Sequence, residues 1–331
     1  MLIAKVKKYI IHCYMNPLNN EMVIAMEKLN FNDLQTLKLI NDIVCGMVLI
    51  NKDIKFQVLH NKLYELIPPF KNIQNLDSYE LSAPINAFRQ ALEAVSKIFD
   101  SRADWSLKMT QLFHQEILAR KSSISRYMTV NRYQEKKNKA ELVQFVSELI
   151  SHYSRLLVVR VDLFYKLNEH SNEGLTLEDF LSDFKKFRER LHNQHDCFAD
   201  LHGYAWALEQ GTNKALHVHL LLIYNGSKRK NDGGLAILVC KKWESICGEK
   251  AASFSCNAKD YKDEYITQGT LGIGMINRNN KLEVYNLLTH VAPYLVIPEK
   301  QNQHPVVKLH GMRTFGKALF DKANRRITKT A

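Results

Sequence analysis

Two histidines separated by one valine, His217 and His219, lie inside the apolar run K-A-L-H-V-H-L-L-L-I-Y at residues 214–224. A run this rich in β-branched and large apolar residues reads as a buried strand. Residues two apart on a strand share a face, about 7 Å apart at ~3.3 Å per residue, so the imidazoles project side by side. Val218, Leu220 and Leu222 then point into the core. Two neutral imidazoles on a rigid strand can hold a divalent metal.

The segment before it, H-G-Y-A-W-A-L-E-Q at 202–210, alternates in the same way and is joined to the histidine strand by the turn-like G-T-N at 211–213. Pairing the apolar faces sets Tyr204, Trp206 and Leu208 beside Val218, Leu220 and Leu222. The opposite face carries Ala205, Ala207 and Glu209 with the two histidines. A three-residue loop puts Glu209 opposite His217, and a one-residue slip would expose Trp206. Glu209 is the expected third ligand and Gln210 a weaker one, with the two alanines leaving room above the metal for a substrate.

The elements that must position these residues follow from the rest of the chain. Its 331 residues suffice for about two domains. Lys and Arg outnumber Asp and Glu by 46 to 34, a net charge of +12 that favours polyanions, most often nucleic acid. Six cysteines without C-x-x-C spacing read as free thiols of a reducing compartment. The N-terminus lacks a signal-peptide core and no apolar run approaches a span, so a cytoplasmic protein with no membrane partner is expected.

Residues 1–120 read as an all-α region. Leu34, Leu37, Ile40, Val44 and Met47 keep helical spacing, as do Phe88, Leu92, Val95, Ile98 and Phe99, and Pro68–Pro69 reads as a break between helices. Residues 121–139 are rich in cations with Tyr127 and Tyr133 among them, a candidate basic linker able to grip phosphates. The second domain is placed at 140–331. A short helix at 140–153 leads into a strand at 156–165 that sends Leu157, Val159, Val161 and Leu163 one way and Arg160 and Asp162 the other. A helix capped by Thr176, the histidine hairpin, a helix from Leu235 to Cys247 and a glycine-containing strand at 265–277 follow. Strand, helix, strand, strand, helix, strand is the ferredoxin-like split βαβ order. The fold class is therefore α+β with an antiparallel sheet, one face covered by helices and the ligand face open. A last helix from Lys281 carries Tyr294 just after Pro293, with Tyr285 on roughly the opposite helix face as the competing phenol.

R-V-D-L at 160–163, H-V-H-L-L-L at 217–222, P-Y-L at 293–295 and R-T-F-G at 313–316, taken in this order, resemble the inovirus-type gene II replication proteins, or YagK/YfjJ C-terminal domain family, of the HUH endonuclease superfamily. These are rolling-circle replication initiators and relaxases. The resemblance covers about residues 140–320. It implies a nickase that cuts and rejoins single-stranded or replication-origin DNA of a phage, plasmid or other mobile element through a 5′-phosphotyrosine, with host helicase or replication proteins as further partners. Position by position it implies His217, His219 and Glu209 as metal ligands and Tyr294 as nucleophile. The lysine that the family keeps within one helical turn of its tyrosine is replaced here by Ile297 and Pro298, with Lys300 farther along as the second catalytic candidate.

The chemistry agrees with those residue types. A phenol with a pKa near 10 is a poor nucleophile at neutral pH, and Mg²⁺ or Mn²⁺ beside it neutralises the phosphate it attacks. Imidazole ligands favour Mn²⁺ over Mg²⁺. Arg160, Asp162, Arg313 and Lys317 are the candidate DNA-binding residues. A non-catalytic DNA-binding regulator on a degenerate initiator fold, and a metal enzyme acting on small substrates, are the alternatives.

Overall fold

The computed structural model describes residues 28–50, 55–100, 104–167, 174–211, 214–296 and 303–320, together with the backbone of two short paired strands, β1 (Cys13–Met15) and β2 (Met22–Ile24). Leu34, Leu37, Ile40, Val44 and Met47 are all buried on one side of α1 (Phe31–Ile50), as their spacing requires. Next comes α2 (Phe56–Asn72), which runs through Pro68 and Pro69 instead of ending before them. Each proline removes one i→i−4 hydrogen bond. The freed carbonyls belong to the exposed Tyr64 and to Glu65, and Phe70 pins the last turn through an edge-on contact with Phe88, ring centroids 5.0 Å apart.

After β3 (Glu80–Leu81), the Ser82 side chain caps α3 (Ala83–Ile98), and Ser106 caps α4 (Leu107–Ala119) in the same manner. The basic stretch at 121–139, expected as a linker, is helical. It forms the first half of the 32-residue helix α5 (Lys121–His152), whose second half buries Leu142, Phe145, Val146 and Leu149. The strands β1, β2 and β3 also depart from an all-α N-terminal region.

The remainder is a mixed helix and antiparallel sheet structure. In chain order it holds β4 (Arg155–Tyr165), α6 (Leu177–His192), β5 (Leu201–Gly211), β6 (Ala215–Asn225), α7 (Asp232–Cys247), β7 (Ala251–Ser255), α8 (Lys259–Thr267), β8 (Gly274–Asn277), α9 (Lys281–Asn286), a π-helical turn at Leu287–Val291, α10 (Ala292–Tyr294), β9 (Val307–Lys308) and β10 (Phe315–Lys317). The sheet order is β10-β5-β6-β4-β7, and β8 pairs the other end of β4 on the β7 side. Thr176 caps α6 as expected. The strand expected at 265–277 is confined to β8, because Tyr265 belongs to α8, and β7 went unrecognised.

One face of the sheet, with Val159, Val161, Trp206, Leu208, Val218, Leu220 and Leu222, is continuous with the cores of α6, α7 and the N-terminal helices. The other face is not open. Leu142, Phe145 and Leu149 of α5 join Leu287, Val291 and Leu295 over Val158, Ala205, Ala207, Leu221 and Ile223. The expectation of a bare ligand face fails because α5 and the C-terminal helices fold back over it. Burying a row of large side chains stabilises that covering by about 1.5–3 kcal/mol each.

Candidate metal centre

The β5–β6 hairpin has the register that the alternation demands: Glu209 pairs with His217, Ala207 with His219, and Gly211 with Ala215. On the next strand over, Asp162 of β4 pairs with His219. Three strands therefore bring Glu209, His217, His219 and Asp162 onto one face. Ligand atoms of Glu209, His217 and His219 all lie within 4.8 Å of one another, and all three residues are buried.

The ring nitrogens are assigned by their neighbours. Asp162 Oδ1 accepts from His219 Nδ1 at 2.6 Å, and the Ala215 carbonyl accepts from His217 Nδ1 at 3.4 Å. Each histidine is left with Nε2 facing the same oxygen, Glu209 Oε2, at 3.1 Å from His219 and 3.5 Å from His217. Burial opposes a charge on His219, but its hydrogen bonds to Asp162 and Glu209 outweigh burial and hold it above the usual histidine range. Asp162 is likewise penalised by burial, yet His219 and Arg160 hold its carboxyl below the usual range. Two Nε2 atoms and a carboxylate oxygen converging at one point, with a carboxylate behind one imidazole, form a donor set that fits a divalent ion.

Arg160 is held at a seam in the sheet. Its strand pairs β8 up to Val158 and β7 from Val161, and between them the Asn257 side chain accepts from Arg160 N at 2.8 Å while Cys256 N donates to Arg160 O at 3.0 Å. Asn257 is buried and also donates to Val158 O and Asp232. Sequence reading missed this role, because an asparagine in a short connection has no distinguishing pattern. The Arg160 guanidinium lies 3.8 Å from Asp162 and 4.0 Å above the ring of Tyr294.

Tyr294 reaches the cluster from the far wall. Its ring centroid is 5.9 Å from that of His219, at 73°. Tyr285, the competing phenol, is exposed and meets His290 instead. The π-helical turn between them resets the helical phase that the sequence count assumed.

Other expected site residues are placed elsewhere. Gln210 is not a ligand: it turns to the opposite face, donating to Leu34 O and accepting from Val306 N. Arg313 and Lys317 flank the β10 edge and line a separate cleft on the α6 side. Lys300, with Ile297 and Pro298, lies outside the described residues. The room expected above Ala205 and Ala207 is filled by the α5 and C-terminal core, apart from a cavity of ≈ 40 Å³ beside Glu209 that Glu135 and His304 also line.

Residues 120–270 match the family model described as the YagK/YfjJ C-terminal domain. The matched stretch holds Arg160, Asp162, Glu209, His217 and His219 and stops short of Tyr294, Arg313 and Lys317. No curated protein and no solved structure matches the chain. Among the described residues, no helix is long and apolar enough to cross a membrane.

Proposed function

We propose that this chain is a metal-dependent rolling-circle replication initiator of HUH type, related to the inovirus gene II proteins, that nicks and rejoins single-stranded DNA through Tyr294. One observation carries the reading: a buried Glu209–His217–His219 cluster within 4.8 Å stands beside a tyrosine whose ring is 5.9 Å from His219 and lies under the Arg160 guanidinium. The sheet order β5-β6-β4-β7, all antiparallel, with α6 and α7 as crossovers, supports a ferredoxin-like split βαβ core. The family match over 120–270 and the net charge of +12 favour a polyanionic substrate.

In this reading the Tyr294 oxygen bonds to phosphorus, the P–O3′ bond breaks, and the departing 3′-oxygen takes up a proton. The product is a 5′-phosphotyrosine that conserves the bond for rejoining. Arg160 lies against the tyrosine ring and presents positive charge where the phosphate must come. Asp162 fixes the His219 tautomer so that Nε2 is available. A divalent ion held by Glu209, His217 and His219 would supply charge neutralisation at the phosphate.

The test is to incubate the full chain with labelled single-stranded origin DNA and Mn²⁺ and resolve covalent adducts on a denaturing gel. Wild type is expected to form an adduct that Tyr294→Phe lacks. DNA affinity with no adduct under any divalent ion would favour a non-catalytic DNA-binding regulator.

A further inference from the structure

We propose that the cleft between the C-terminal half of α6 and the β10 edge binds the phosphodiester backbone of a nucleic-acid strand, with Arg188 and Arg313 as its phosphate contacts. The cleft is separate from the metal cluster. Its identification with nucleic acid, rather than another polyanion, rests on the nuclease reading.

The cleft measures ≈ 440 Å³, and Lys185, Arg188, Arg313 and Lys317 line it against one carboxylate, Glu189. Four cations facing one acid leave a net of about three positive charges in a concave site, an arrangement that draws anions. Among the described residues neither Arg188 nor Arg313 makes a hydrogen bond or ion pair. The two are near enough that Arg188, already penalised by burial, is lowered further by Arg313 despite the opposing influence of Tyr204 and Glu189. Guanidiniums normally meet a carboxylate when brought together in a partly buried place. Arg188 is half-buried with its Nε unpartnered, while Arg313 is exposed at the mouth, so a phosphate bridging the two removes the repulsion and gives Arg188 the partner it lacks.

The cleft is built. Arg188 lies 5.0 Å over the ring of Trp206 and 5.2 Å over that of Phe184, which holds its guanidinium plane against the sheet. Trp206 is buried and serves as floor, not as a base-stacking platform. Gly316 lets β10 lie directly on that floor, since a Cβ there would stand 2.6 Å from Trp206 Cε2. Arg313 and Lys317 are thereby set at the lip.

The position favours a strand over a single phosphate. Thr314 and Phe315, between Arg313 and Lys317 in the chain, line the cavity at Glu209 on the other face. Lys317 also reaches to 5.3 Å from the Phe145 ring of α5, which places one of the cleft's cations at the sheet edge itself. A backbone anchored on Arg188 and Arg313 can cross β10 toward Glu209.

The experiment measures anisotropy of a labelled single-stranded oligonucleotide with the full chain across a salt series, for wild type, Arg188→Gln/Arg313→Gln and Arg188→Lys/Arg313→Lys. The Gln pair should bind at least ~10-fold more weakly, with a salt slope shallower by about 0.7, the value for the one bridged phosphate no longer neutralised. The Lys pair should keep most of that slope, and Mn²⁺ binding should be unchanged in both. Inorganic phosphate at equal phosphate concentration should displace the oligonucleotide poorly. Unchanged affinity and slope in the Gln pair, or equal displacement by inorganic phosphate, would overturn the proposal. Arginine-dependent binding by a chain that forms no covalent adduct would leave the cleft standing while removing the nuclease reading.

Discussion

Asp162 and His219 face each other across β4 and β6 and share a 2.6 Å hydrogen bond from the ring Nδ1 to the carboxylate. The bond decides which nitrogen of His219 looks at Glu209. Asp162 is thus placed to orient His219 in the candidate metal cluster, turned inward, whereas its place in the R-V-D-L strand suggested contact with DNA. Replacing it with Ala should weaken Mn²⁺ binding by about 10–100-fold while the far-ultraviolet circular dichroism stays unchanged. Isothermal titration of both proteins with Mn²⁺ checks this.

Arg160 has a distinct task, because its guanidinium lies against the tyrosine ring and 3.8 Å from Asp162, outside the three-ligand set. Arg160→Gln should lower the single-turnover rate of adduct formation by about 10²-fold with little change in Mn²⁺ affinity. A quenched time course with excess enzyme measures it.

Gly272 sets the distance between the loop before β8 and the helix that leads to Tyr294. A Cβ at Gly272 would stand 2.6 Å from both Asn286 C and Leu287 N, backbone atoms that cannot swing aside. Gly272→Ala should therefore cost about 1–3 kcal/mol in urea unfolding and displace the π-helical turn. Adduct formation should fall by more than the loss of folded protein explains.

Asp183 gives a pH signature. Tyr165 Oη donates to its Oδ2 at 2.7 Å and Lys186 Nζ lies 2.9 Å from Oδ1. Burial opposes ionisation, but these partners and Lys250 hold the carboxyl below the usual range. A depressed folded-state value means that the stabilisation is complete above the unfolded value of ~3.9 and is lost as pH falls through the lower folded value. Asp183→Asn should be less stable than wild type at neutral pH, by about 1–3 kcal/mol. The gap should narrow only in the acid limb below pH ~4, as read by urea melts across pH.

The hairpin was legible because alternation and loop length together allow one register, and Glu209 opposite His217 followed from that register alone. The same parity picked out Arg160 and Asp162 as facing the ligand side. The covering of that face was not legible, since α5 buries apolar residues only in its second half and its charged first half reads as solvated chain. Pro68 and Pro69 misled for a related reason: the proline rule is local, and the Phe70–Phe88 contact that sustains the helix is not. Gln210 was one residue out of parity with the cluster, and pairing distance alone could not exclude it.

The central claim is that Glu209, His217 and His219 hold one divalent ion. Titration of the full chain with Mn²⁺, followed by the loss of the free-ion electron paramagnetic resonance signal, tests it directly. One bound ion in wild type, and none in His217→Ala/His219→Ala of matched circular dichroism, is the predicted result. Equal Mn²⁺ binding by the two proteins would contradict the account.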